Sequence, residues 1–325
     1  MSGSTSPGLV VRIAARAPAR PTTSLRYLRR ALWRYRYLYL MLIPPFVFFT
    51  VFRFYPMLGN VIAFKDYRQE LGIWGSPWVG IKQFQLLFND ELFMRSLWNT
   101  ISIAFLKLVF AFPASIVLAL FLNEVRVLIF KRVVQTVVYA PYFLSWVIYA
   151  AILYVVLSPV NGMVNTVLAA LGIDKIPFFQ RPELFQPLVI LSSIFKEAGW
   201  GAVIYLASMS SIDPQLYEAA HIDGANRWQL MRHVTLPGLA ATIVTLLILQ
   251  LGWFLSVGFP QIFIMQNNIV LPTGDIIETF IYRVGIQRGR FDLTTAAGLF
   301  NSAVGMVLVL GADRLAKRLG MRGIL

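Results

Sequence analysis

Cysteine is absent from the 325 residues, which excludes disulfides, thiolate metal sites and cysteine nucleophiles. Histidine is nearly absent. His221 and His233 are the only two, and they stand too far apart to form a His-x-x-x-His metal pair on one helical face. Charge is scarce as well: 14% of residues, against roughly 25% in a soluble domain. No Gly-rich loop leads into Gly-Lys-Ser/Thr, so the chain has no phosphate cradle with which to hydrolyse ATP alone. His-Glu-x-x-His is missing too, and no nucleophile–base pair is visible.

What the sequence has is apolar residue in long runs. Hydrophobic residues make up 58% of the chain and the mean hydropathy is +0.67. Runs of about 20 residues are long enough to cross ~30 Å of hydrocarbon at ~1.5 Å per helical residue. Six segments qualify as spans: Tyr37–Ile62, Leu97–Leu122, Val133–Leu157, Leu184–Met209, Leu239–Met265 and Leu293–Ala312. The expected fold class is therefore an all-α integral membrane protein with six transmembrane helices. It has one membrane domain over residues 37–325, preceded by a basic arm over 1–36. The arm carries eight arginines and no acid, and Pro7, Pro18 and Pro21 interrupt any helix in it. It reads as a cytoplasmic, lipid-headgroup-contacting leader into a retained helix, not as a cleaved signal.

Loop charge sets the orientation. With the arm inside, the cytoplasmic pieces hold 17 Lys/Arg, while the outer loops hold nine cations balanced by nine acids. The expected placement is a bacterial cytoplasmic (inner) membrane, multi-pass, with both termini cytoplasmic. The basic balance then reflects topology, and a nucleic-acid partner is not expected.

One cytoplasmic loop differs from the others. Asp213-Pro214 is an N-cap followed by a first-turn proline. Leu216, Ala219 and Ala220 share a face, and Asp223-Gly224 makes a turn. A helical pattern resumes at Ala225 and is expected to stop before Pro237. From residues alone this is a helix–turn–helix that either lies solvated at the interface or transmits a push from a partner. A resemblance favours the second. Glu218-Ala219-Ala220, Gly224 after three residues, then Val234, Leu236 and Pro237 resemble the EAA loop of ABC importer permeases, with Val234 in place of the usual Ile. The resemblance extends from Tyr37 onward through Leu42-Ile43-Pro44, Tyr55-Pro56-Met57, Ala63–Tyr67, Gly72–Gly80, Ile212-Asp213-Pro214 and Tyr282–Gly285. These look like maltose-type carbohydrate permeases of the oligo- and polysaccharide subgroup, with an alginate-type importer as the specific expectation.

That resemblance implies a type I importer permease fold with a cytoplasmic EAA coupling helix. It implies a homologous second permease, an ABC ATPase dimer that holds ATP and Mg²⁺, and a solute-binding protein that delivers sugar from the periplasm or exterior. This chain itself would bind no cofactor and catalyse nothing. Within the coupling loop 213–237, it makes Glu218, Ala219, Ala220, Asp223, Gly224 and Trp228 the ATPase-coupling residues.

Charges inside spans are the candidates for the sugar path. Arg53, Lys107, Lys196 and Glu197 would each cost ~2.5–3.5 kcal/mol at mid-bilayer if left without a partner or water. Arg53 can alternatively snorkel to the headgroups. Lys196 and Trp200 share a helical face, and a cation beside a ring suits an acidic sugar, although a neutral sugar would also use the ring. Two other classes stand against this reading. An ion-coupled secondary sugar transporter would show inverted repeats or interrupted helices, and a membrane enzyme acting on lipid-linked sugar would show acidic or histidine-rich clusters.

Overall fold

The computed structural model describes residues 33–318 and is all-helical there. The chain forms two units, residues 1–59 and 60–325. The basic arm expected over 1–36 falls outside the described residues up to position 32. In the first unit, α1 (Arg36–Phe49) carries Pro44 and Pro45 in its interior and continues as a π turn over Thr50–Phe54. The Thr50 hydroxyl donates to the Phe46 carbonyl at 2.8 Å, satisfying an acceptor beside the turn. None of this unit's helical side chains is buried.

The second unit is built on long helices. α2 (Glu91–Leu106) starts six residues before the expected span because Asp90 caps it, accepting from the amides of Leu92 (2.8 Å) and Phe93 (3.2 Å). It runs through a π turn over Lys107–Ala111 into α3 (Phe112–Glu124). The third expected span is not one straight helix. α4 (Leu128–Tyr139) and α5 (Trp146–Val156) meet at 107° across a short 3₁₀ turn. Pro141 lacks the amide that would continue the ladder, Leu144 is extended, and Ser145 caps the new helix by accepting from Ile148 N at 3.3 Å. Hydropathy cannot see this break, since both halves are apolar. α6 (Pro182–Met209) is continuous and packs along α3.

α7 (Pro214–Ile222) and α8 (Arg227–Leu230) form the expected hairpin. α8 does not stop before Pro237. A π turn over Met231–Thr235 carries it into α9 (Leu236–Gly252), so Pro237, which has no amide to give, falls inside a continuous helical run just after the wider turn. The fifth expected span, Leu239–Met265, breaks after Gly252. Gly258 takes φ +107°, a conformation closed to most side chains, and α10 (Phe259–Met265) starts afresh with Pro260 in its first turn. A further π turn lies at Ile281–Gln287, and α11 (Phe291–Arg318) completes the described residues. Among the described residues, five helices are long and apolar enough to cross a membrane, or six if the bent α4–α5 pair is one span.

Long-range hydrogen bonds gather the connections at two ends. Gln83 donates to Asp292, Asn267 to the Phe179 carbonyl and Thr273 to the Pro182 carbonyl, which brings residues 60–96, 157–182 and 253–292 to one end, the far end. The α7–α8 hairpin lies at the other, called the docking end after the role that its sequence resemblance implies. Buried apolar clusters run between the two. One is centred on Ile103, Phe185 and Ile262, and another on Ala202, Tyr205 and Leu239.

Candidate functional site

At the docking end, Asp213 accepts from Gln215 N at 3.0 Å and opens α7. Gly224 stands at φ +77°, and a Cβ there would meet no atom within 4 Å, so backbone strain alone selects glycine. Asn226 and Gln229 then form a reciprocal capping box, at 2.9 and 2.7 Å, that starts α8. The Tyr217 and Thr235 hydroxyls meet at 3.1 Å and tie α7 to the helical run entering the membrane. Glu218, Ala219, Asp223, Gly224 and Trp228 are all exposed, and Ala220 is half-buried. Ile222 and Trp228 show 87% and 67% of their surface, and Leu216 is also open. A recess of about 260 Å³ opens beside Ala220, Gly224 and His233. The hairpin is therefore held by its own caps and turn, and it leaves Leu216, Ile222 and Trp228 exposed among polar and charged residues.

Within the bundle, a cavity of about 380 Å³ is lined by Lys107, Glu197, Trp200, Tyr142, Gln250 and Trp253, among others. Trp200 stacks on Tyr142 with ring centroids 4.8 Å apart and planes 8° from parallel. Of the charged and aromatic residues singled out in the spans, Lys107, Glu197 and Trp200 line this one cavity. Lys107 projects from its π turn and donates to the Val257 carbonyl (2.7 Å) and to Gln261 Oε1 (2.8 Å). Gln261 is fully buried and spends its amide on Val189 O and Ser192 Oγ, while its oxygen also accepts from Ser193. One ammonium proton of Lys107 is left over.

Lys196 is placed differently. Its ammonium donates to the carbonyls of Pro141 (3.2 Å), Tyr142 (2.9 Å) and Leu144 (2.7 Å), which consumes all three protons. Those carbonyls are the open end of the α4 run at the 107° break, so Lys196 caps a broken helix and does not line the cavity. The rings of Tyr142, Trp146 and Tyr149 lie within 6.0 Å of the ammonium. Arg53 belongs to the first unit, on an exposed π turn.

Tyr142, Gln250, Trp253 and Gln261 escaped a reading that searched the spans for charge. Two carboxamides inside apolar helices were the available signal, because neutral polar groups at membrane depth also need partners. Sequence reasoning also missed the buried carboxylate of Asp275 at the far end. It accepts from Ser96 (2.7 Å), Thr279 (2.9 Å) and both forks of Arg283, with Nη1 at 2.9 Å. This pairing raises the Arg283 pKa, chiefly through the hydrogen bonds from its guanidinium to Asp275. Glu278, in the same connection, is pushed above the ordinary carboxyl value by burial, although the amides of Gly258 and Phe259 and the charge of Lys107 pull the other way.

Residues 111–322 match the family described as the binding-protein-dependent transport system inner membrane component. The chain is 46% identical over 289 residues to the polygalacturonan/rhamnogalacturonan transport system permease protein YteP of Bacillus subtilis, covering 89% of this chain and 90% of that one. It is 43% identical over 294 residues to Protein LplB of the same organism, covering 90% and 92%. Among solved structures, it is similar to a chain of a bacterial ABC transporter involved in the import of the acidic polysaccharide alginate. There the identity is 42%, the TM-score 0.84, and the cover 90% of this chain and 99% of the other. The same fold recurs at TM-score 0.85 and 41% identity, covering 91% and 99%, in a bacterial alginate transporter in complex with its pentasaccharide-bound periplasmic protein.

Proposed function

The chain belongs to the binding-protein-dependent transport system inner membrane components, as a permease subunit of a carbohydrate ABC importer, and on that premise we propose its cargo, its orientation and its working parts. The cargo is an oligo- or polysaccharide carrying acidic units. The observation that carries this is the central cavity, whose lining combines Lys107, with one ammonium proton uncommitted, and Glu197 with the Trp200–Tyr142 stack and Trp253. A charge-assisted hydrogen bond suits a uronate carboxylate, and the rings suit the apolar face of a sugar. The cargoes named for the YteP and alginate relatives are of the same acidic class.

The docking end faces the cytoplasm, with both termini, and the far end faces outward, where a solute-binding protein delivers sugar. Each α7–α8 hairpin seats in an ATPase subunit. Ile222 and Trp228 supply the apolar contact and Glu218 the charge, and Gly224 holds the turn. Because α8 runs into α9 without a stop, displacement of the hairpin moves the wall that carries Gln250 and Trp253. ATP and Mg²⁺ stay on the partner, and this chain contributes no catalytic group. A homologous second permease completes the path. An ion-coupled transporter would have no use for the hairpin.

Uptake into proteoliposomes, with the binding protein present, tests the cargo. Lys107→Gln keeps a donor for Gln261 but removes the charge. Uronate oligosaccharide uptake is expected to fall about tenfold or more, with neutral oligosaccharide uptake within about twofold of wild type. Equal loss of both would sink the acidic assignment.

A further inference from the structure

The far end holds a second recess, of about 250 Å³, that no role above employs. Phe263 and Tyr282 meet edge to face on its wall, 5.0 Å apart at 72°, and Phe259 stacks on Phe263 at 5.0 Å. Gln266, Asn268, Gln287 and the Arg283 guanidinium stand around those rings.

These polar groups are unspent. The side chains of Asn268 and Gln287 and the Tyr282 hydroxyl have no hydrogen-bond partner among the described residues. Gln266 keeps a buried carboxamide oxygen unpartnered. The neighbouring Asn267 shows what a structural amide does here: it donates to Phe179 O at 2.7 Å and accepts from the amides of Ile269 and Val270. Buried polar groups ordinarily find partners, so the enclosed Gln266 oxygen is the acceptor here that calls for something from outside, and the exposed amides of Asn268 and Gln287 stand beside it with no partner in the fold.

The chemistry of that occupant follows from the lining. Arg283 is the one charged side chain on the wall, and its fork is locked on Asp275, so the recess is close to neutral. Ring faces flanked by planar donor–acceptor amides match a sugar unit, whose C–H face stacks and whose vicinal hydroxyls pair with carboxamides. We infer that this recess is a carbohydrate subsite at the far mouth of the permease. It reads the hydroxyls and apolar face of one sugar unit without regard to a carboxylate. The inference rests on the carbohydrate reading above and adds a second contact, separate from the charge-reading cavity around Lys107.

The complete importer, reconstituted in nanodiscs with its binding protein, tests this. The probes are an oligogalacturonate and its fully methyl-esterified, uncharged form. In the Asn268→Ala/Gln287→Ala double variant, both side chains are exposed and unbonded, so folding is undisturbed. The expected result is a rise of about tenfold in the half-saturating concentration for glycan-stimulated ATP hydrolysis, equal for the two probes. The maximal rate and the docking of glycan-free binding protein stay within about twofold. Tyr282→Phe, which removes only a hydroxyl, gives a smaller rise of the same kind. Equal weakening of glycan-free docking would make the recess a protein contact and overturn the inference, and so would no change in either quantity. If the wild-type importer responds to neither probe, the carbohydrate reading itself falls before any variant is compared, and the subsite falls with it.

Discussion

At the docking end, α7 buries none of its side chains, whereas at the far end Asp275, Gln261 and Thr279 lie out of solvent and hydrogen-bonded to several partners each. In the function proposed above, the hairpin is a surface for another protein. Its shape comes from caps and a turn within a short stretch of sequence, and its free face keeps apolar residues exposed. The far end is an interior made of polar groups. Ser96 reaches Asp275 across 179 positions, and Gln83 reaches Asp292 across 209. On the proposed function a partner can grip the first without disturbing the second, since the two ends are built from different interactions.

Substitutions can break or sharpen this contrast. Asp275→Ala strips the carboxylate from the Arg283 guanidinium, while Ser96 and Thr279 fall back on the Leu92 and Ile276 carbonyls. Loss of one member of such a buried pair costs about 3–5 kcal/mol, and thermal unfolding of the purified protein should shift accordingly. A shift no larger than that of an exposed substitution would remove the case for a rigid far end. Lys196→Met leaves three carbonyls at the α4–α5 break without their donor, at about 1–3 kcal/mol. Uptake of acidic and neutral glycans should fall together, in contrast to Lys107→Gln, and a selective loss of acidic cargo would return Lys196 to the sugar path.

Gly224→Val probes the other end. The left-handed turn costs a non-glycine residue about 1–2 kcal/mol, with open space around the new side chain. The unfolding temperature should move little, while copurification of the ATPase is lost. A complex that stays intact would remove the hairpin from the docking role. The smallest effect concerns Glu278. Its folded-state pKa lies above the ordinary value of 4.5, so the folded protein holds this proton more tightly than the unfolded chain does. The stabilisation is complete below that value and is lost as pH rises through the raised pKa. Glu278→Gln should flatten the decline in melting temperature over this window, and an unchanged profile would show that the carboxyl titrates as if in water.

The same contrast explains what could be read before the structure. Asp213, Gly224 and the Glu218-Ala219-Ala220 spacing act on neighbours in sequence, and the hairpin emerged as expected. The spans were legible from hydropathy, apart from the breaks at Leu144–Ser145 and Trp253–Gly258. Neither break changes apolarity. Lys196 was placed by its helical face beside Trp200, which is sound geometry, but the carbonyls that claim it lie more than fifty positions earlier. Asp275 looked like an ordinary loop acid, because nothing nearby in sequence announces Ser96.

The π turns at Thr50–Phe54, Lys107–Ala111, Met231–Thr235 and Ile281–Gln287 each hold one residue more than an α-helical turn would. That surplus residue is a phase setting. Removing one position from the 107–111 segment would restore an unbroken α-helix and rotate everything on one side of it by about 100° relative to the other. Lys107 and the α3 residues Phe112 and Ser115 would no longer face the same cavity together, although none of them had been replaced. What such a helix points at is thus fixed by how many residues it contains as much as by which ones, and a shortened homologue could keep every lining residue and still present a different face to its cargo.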